Sequence, residues 1–371
     1  MSRKNLIVLT GIAIMFGILF LASGCKKEDG DDNTPVQQLN VYVAGYTRSS
    51  TGIYIPCYWK NEIRTDLPVP GDKNGMASAV FVSSSDVFVA GISKTGTNDT
   101  YVPCYWKNGE KNDLSKISSD KTGHTYSIYV SGNDIYIAGE TANSAETSVP
   151  CYWKNSMRTD LSVISSDKTG YAYSIYASGN DIYIAGETAN SAETSVPCYW
   201  KNSVRTDLKA IDPARDGYGK SVYVSGSDVF VAGDTKDSSD VSVPCYWKNG
   251  ERTDLSVILN GGLSRSIFVS GSDIFVAGNT TALSTISVGG VSVPCYWKNG
   301  GRTNLPALDP TRNGIGESIF IIAGDIYVAG SNLNATNAFV PCFWKNGART
   351  DLSVLDASKY SEAYSIFVIK Q

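Results

Sequence analysis

The sequence predicts an all-β fold, a seven-bladed β-propeller of four-stranded antiparallel blades whose ring is closed by the N- and C-terminal strands. Three observations predict it. The signature P-C-[YF]-W-K-N begins at Pro56, Pro103, Pro150, Pro197, Pro244, Pro294 and Pro341, at intervals of 47, 47, 47, 47, 50 and 47 residues, and a fixed period of this length marks a repeat architecture. Each unit holds four short runs rich in β-branched and aromatic residues, separated by turn chemistry. The runs VPCYW and IYIAG are apolar at both odd and even positions, so both faces of the sheet are expected to be buried, as they are when blades stack around an axis.

In chain order within one unit, strand a is SIYVS (127–131) and strand b is DIYIAG (134–139), joined through Ser-Gly-Asn-Asp, which is hairpin chemistry. Strand c is VPCYWK (149–154), turned by Asn-Gly or a similar pair into strand d, RTDL (158–161 in this unit). The first repeat starts at strand b, VYVAG from Val41, and the chain finishes with a lone strand a, Ser365 to Ile369. Pairing these two segments completes one blade and leaves no open edge. An open β-solenoid is the alternative architecture, but its coils are usually shorter.

Ahead of the repeats, residues 1–24 carry a basic start (Arg3, Lys4), an apolar run from Leu6 to Leu21 and the small residues Ala22, Ser23 and Gly24. This reads as a signal peptide, its apolar run shorter than the roughly 20 residues of a spanning helix. The segment Leu21-Ala-Ser-Gly-Cys25 resembles the lipobox of bacterial lipoproteins, which implies lipidation of Cys25 and a membrane partner held through acyl chains. Residues 25–40 are expected to form a polar tether and 41–371 the propeller. Lys26, Lys27, Glu28 and Asp29 resemble the export signal of surface lipoproteins, which implies an outer-membrane lipoprotein exposed at the cell surface; a periplasm-facing location is the alternative. Loss of Arg3 and Lys4 with the signal, which holds no acidic residue, takes the formal charge from -4 to -6. An acidic body argues against nucleic acid as a partner.

Trp247-Lys-Asn-Gly250 followed by Thr253-Asp-Leu255 resembles the HAF-type extracellular repeats of bacteria, and the likeness recurs through all seven units. The resemblance implies an extracellular β-repeat protein and brings no catalytic residues with it. The Pro-Cys-Tyr opening departs from that family's pattern.

Most residues that invite a chemical reading have a structural one beside it. Cys57 and its six equivalents sit in the third strand of adjacent blades, more than about 10 Å apart at strand spacings of about 4.8 Å, whereas a disulfide needs Cα atoms within about 7 Å. Free buried thiols are expected. No second Cys or His accompanies them, so no metal site is expected, and no cofactor. His124, the only histidine, is read as a loop substitution, at a position where later repeats carry Tyr171 and Tyr218. The Trp series is read as packing between blades with each indole N–H bonded nearby.

Function is expected where length varies. The loop between strands b and c runs 11 residues from Gly139 to Pro150 but 16 from Gly278 to Pro294. The loop after strand d also varies, and both loop types lie on one face of a meander blade. Candidate ligand-binding residues in these loops are Asp120, Lys121, Asp167, Lys168, Arg215, Asp216, Arg312 and Glu317. The segment ETANSAETS, repeated in units three and four, is read as an exposed loop. The expected function is a non-enzymatic ligand-binding or scaffold module for a glycan or envelope protein, acting through the loop face or the mouth of the axial channel. A polysaccharide lyase or hydrolase using carboxylates such as Asp216 or Glu317 is the alternative.

Overall fold

The computed structural model describes residues 38–370 apart from 72, 96–99, 260 and 283–289. Residues 1–24, expected to be a signal peptide, Cys25, most of the expected tether and part of the lengthened loop after Gly278 lie outside the described residues.

The described residues form seven four-stranded antiparallel sheets. A representative blade runs Gly123–Ser131 (a), Asp134–Ala142 (b), Ser148–Lys154 (c) and Met157–Asp160 (d). Blade 1 is the composite expected from the chain ends: its strand a is Glu362–Lys370, paired antiparallel with strand b, Leu39–Arg48, in a register that sets Val43 against Ile366. Strands a lie innermost and contact one another around the ring.

The constant motifs have structural work. The Trp of every strand c is fully buried and its indole N–H donates to a backbone carbonyl of the preceding blade, as in Trp200 to Ser162 O at 2.8 Å and, across the closure, Trp59 to Ser353 O at 2.8 Å. The seven repeat cysteines are free and buried, as expected. Burial pushes thiols such as that of Cys151 up to about 12, which leaves them unreactive. The Lys-Asn pair that ends the signature clasps two turns: Asn155 Nδ2 donates to Asp134 Oδ1 at 2.7 Å, its Oδ1 accepts from Ile135 N at 2.9 Å, and Lys154 Nζ lies 2.8 Å from Asp134.

One irregularity recurs in all seven blades. Strand a slips register by one residue against strand b, at Thr125/Ser127 in blade 3 and at the equivalent place in every other blade. An extra residue of this kind is a β-bulge, which leaves one side chain out of the ladder and re-aims it. The strand-b glycine opposite explains why no side chain is tolerated there: a Cβ on Gly186 would stand 2.0 Å from Tyr171 O.

Candidate functional site

The bulged residues are Ser78, Tyr126, Tyr173, Lys220, Arg265, Glu317 and Tyr364, one from each blade, and together they line a cavity of about 340 Å³ at the axis. They sit near the start of strand a, so this well opens on the face of the variable loops. Three residues further along the same strands, Phe81, Tyr129, Tyr176, Tyr223, Phe268, Phe320 and Phe367 form a closed belt around the axis, each ring centroid 4.6–5.1 Å from the next. A polar well therefore stands on an aromatic floor.

The wall of the well is uneven because the repeats differ in chemistry at the bulge position, as they also do two residues earlier in strand a, where His124, Leu263 and Glu362 are equivalent. Behind it, the residue after each strand-b glycine also varies, and there the buried acids Glu140, Glu187 and Asp234 occur on successive blades. Tyr173 donates its hydroxyl to Glu187 Oε1 at 2.8 Å, Tyr364 donates to Glu362, and His124 Nδ1 lies 2.5 Å from Glu140 Oε1. Lys220 Nζ sits 3.7 Å from the centroid of the Tyr173 ring and 4.5 Å from that of Tyr218. Arg265 Nη1 is 3.5 Å from Glu317 Oε2, and its Nε has no hydrogen-bond partner among the described residues. The second oxygens of Glu187 and Asp234 are likewise buried without a partner.

Loss of water sets the protonation of this cluster. Burial pushes the Glu187 carboxyl up to about 7 and the Asp234 carboxyl up to about 6, against an opposing pull from the Lys220 ammonium. Burial raises Glu317 and Glu362 as well, and lowers Lys220. Near neutral pH the well thus holds carboxyl groups poised between acid and carboxylate, a permanently charged guanidinium and several tyrosine hydroxyls.

The residues singled out in the sequence divide into two groups. Lys121, Lys168 and Arg215 reach from the loop after strand d to an acid in the next b–c loop: Lys121 to Glu146 at 3.0 Å, Lys168 to Glu193 at 3.1 Å, Arg215 to Asp240 at 3.9 Å. Arg312 makes the same reach to Asn337 and also pairs with Asp309 at 3.2 Å. Asp120 and Asp167 flank their lysines at 4.0 and 3.8 Å, and Asp216 accepts from Ser195 N at 3.0 Å. These seven join loop to loop around the rim, and Asp120 and Lys121 also border a rim cavity of about 390 Å³ beside His124 and Glu140.

Glu317 belongs elsewhere. It lies within strand a of blade 7 (Gly314–Ile322), not in a loop, and faces the axial well. His124 is corrected in the same way: it is the second residue of a strand, tied to Glu140. Glu140 and Glu187, which open the ETANSAETS segments, are buried strand residues and not exposed. The remaining well residues escaped sequence reasoning. Their signal is the set Ser, Tyr, Tyr, Lys, Arg, Glu, Tyr at one repeat position, which carries meaning only once strand a is known to be innermost.

No family model matches the chain, and no curated protein matches it. Solved structures with similar architecture include a mutant of Trypanosoma rangeli sialidase displaying trans-sialidase activity (9% identity, TM-score 0.47, covering 88% of this chain and 56% of that one) and Trypanosoma rangeli sialidase in complex with sialic acid (8%, 0.43, 82% and 56%). A mutant of AofleA from Arthrobotrys oligospora is a third (11%, 0.44, 79% and 88%). The chain spans just over half the length of the two sialidases. One expectation is corrected by this finding. Two of these structures are sialidases, and the expectation of a non-enzymatic protein is withdrawn.

Proposed function

We propose that the protein binds a glycan in the axial well, entered from the face of the variable loops. The observation that carries this reading is the bulge ring. In a repeat whose scaffold positions are nearly constant, the seven side chains turned into one concave site differ, and they combine tyrosine rings with hydrogen-bonding and charged groups. Sugars present apolar C–H faces and polar hydroxyls together, and such a lining matches both. Tyr126 is the natural platform, since no hydrogen bond from the described residues holds its hydroxyl and its ring packs at 5.3 Å from Tyr173. A glycan-array screen of the full-length protein tests the reading: a saturable binder is expected, and Tyr126→Ala should weaken it about tenfold or more, in the range of an aromatic contact at the centre of a site. Absence of any binder, or binding untouched by Tyr126→Ala, would sink it.

Hydrolysis in the same well is a second reading, favoured by one observation. The Glu187 carboxyl, pushed up to about 7 and hydrogen-bonded to Tyr173, has the protonation behaviour of a general acid near neutral pH. Incubation of array hits with the protein, followed by product analysis, separates the two: new reducing ends that vanish in Glu187→Gln would establish turnover.

The same reading includes membrane attachment through a lipidated Cys25, with display at the outer surface. Cys25→Ser should move the protein from the membrane to the soluble fraction on cell fractionation.

A further inference from the structure

The geometry points to an anionic sugar as the ligand of the axial well, its carboxylate or sulfate seated between Lys220 and Arg265. This inference rests on the glycan reading above and adds the charge of the ligand.

Two of the acids are turned to tyrosines, Glu187 accepting from Tyr173 and Glu362 from Tyr364, while Glu317 faces Arg265. The cations are not satisfied in the same way. No carboxylate of the described residues stands within ion-pair distance of Lys220, which lies over the faces of Tyr173 and Tyr218, with Glu187 and Asp234 acting on it from further off. Arg265 carries five N–H donors, yet its one carboxylate contact is Glu317 at 3.5 Å, beyond a good charge-assisted hydrogen bond. Its Nε is buried and unpartnered. Lys220 and Arg265 occupy the same bulge position on adjacent blades, so their charged ends converge on one side of the well.

The other wall is open. Ser78 is the smallest of the seven bulged residues and leaves room opposite the cations for the body of a sugar ring, with Tyr126 beside it. A planar guanidinium matches a two-oxygen anion in bidentate fashion, and an ammonium adds a point charge. The ends of Lys220 and Arg265 that reach the well meet no close carboxylate, so a charged ligand gains charge-assisted hydrogen bonds there that a neutral one does not.

The test compares paired probes on the full-length protein by calorimetry: trigalacturonate against its methyl ester, and a sulfated galactan oligomer against the desulfated one. The charged member of at least one pair should bind about tenfold or more tighter than its neutral twin; which pair responds distinguishes carboxylate from sulfate. That preference should collapse in Lys220→Met and Arg265→Met, return in Lys220→Arg and Arg265→Lys, and persist in Lys248→Met, which lies at an outer turn. The conservative variants separate lost charge from lost folding. Equal binding of charged and neutral members by the unmodified protein overturns the anion inference and leaves the glycan reading standing. No binding of any probe overturns the inference, and the array screen then decides the glycan reading by itself. A charge preference that survives both Met substitutions overturns the assignment to these two residues.

Discussion

At the scale of residues, the well is costly to build, and its cost depends on pH. An acid whose folded pKa lies above its ordinary value stabilises the fold fully below that ordinary value and loses the contribution as pH climbs through the folded one. For Glu187 the window runs from 4.5 to about 7, and for Asp234 from 3.8 to about 6. Each is expected to remove about 3 kcal/mol of stability across its window. Urea unfolding at pH 5 and pH 8 should therefore show the protein less stable at pH 8, with the difference reduced in Glu187→Gln. A profile that is flat or rises toward pH 8 would contradict the burial of these acids. The rim pairs behave differently, because Lys121–Glu146 and Lys168–Glu193 are largely solvent-exposed and pairs of this kind contribute little.

Between neighbouring elements, the bulge explains how seven blades are stitched at the axis. It frees the backbone N–H two residues further along strand a, and a serine of the preceding blade accepts it: Ser127 from Ile175 at 3.2 Å, Ser174 from Val222 at 3.1 Å, Ser221 from Ile267 at 3.1 Å, and Ser365 from Val80 at 3.2 Å across the closure. Ser266 and Ser318 do the same. Blade 2 breaks the series, since Ala79 stands at the serine position and faces Ile128 with no hydroxyl to offer. Ala79→Ser should supply the seventh link and raise stability by about 0.5–1.5 kcal/mol, the net worth of one hydrogen bond, measured as a shift in denaturation midpoint. The opposite outcome is expected for Gly186→Ala. A methyl group 2.0 Å from Tyr171 O and 2.8 Å from the Trp200 ring forces strand a from strand b, and a loss of about 3 kcal/mol or more follows by overpacking, together with loss of the well lining at Tyr173.

For the whole molecule, closure rests on one composite blade. Removing residues 365–371 deletes the strand-a residues that pair with Leu39 to Ala44 and exposes strand b of blade 1 as an edge, so the melting temperature should drop sharply and the truncated protein should self-associate. The period, strand count, hairpin turns and this closure were legible in the sequence, because each is a local consequence of alternation, turn chemistry and repeat spacing. So were the packing roles of Trp59 and Cys57 and their equivalents, since residues that recur in every blade serve what every blade shares. The well was not legible. Glu317 and His124 read as loop residues in the sequence, because the glycine-rich stretch that opens strand a looks like a turn until a bulge is formed against the strand-b glycine. A bulge arises from pairing across strands, and which strand is innermost is decided only when all seven blades pack. Sequence alone thus determined a ring of equivalent blades; tertiary structure decided which seven inequivalent side chains that ring turns inward.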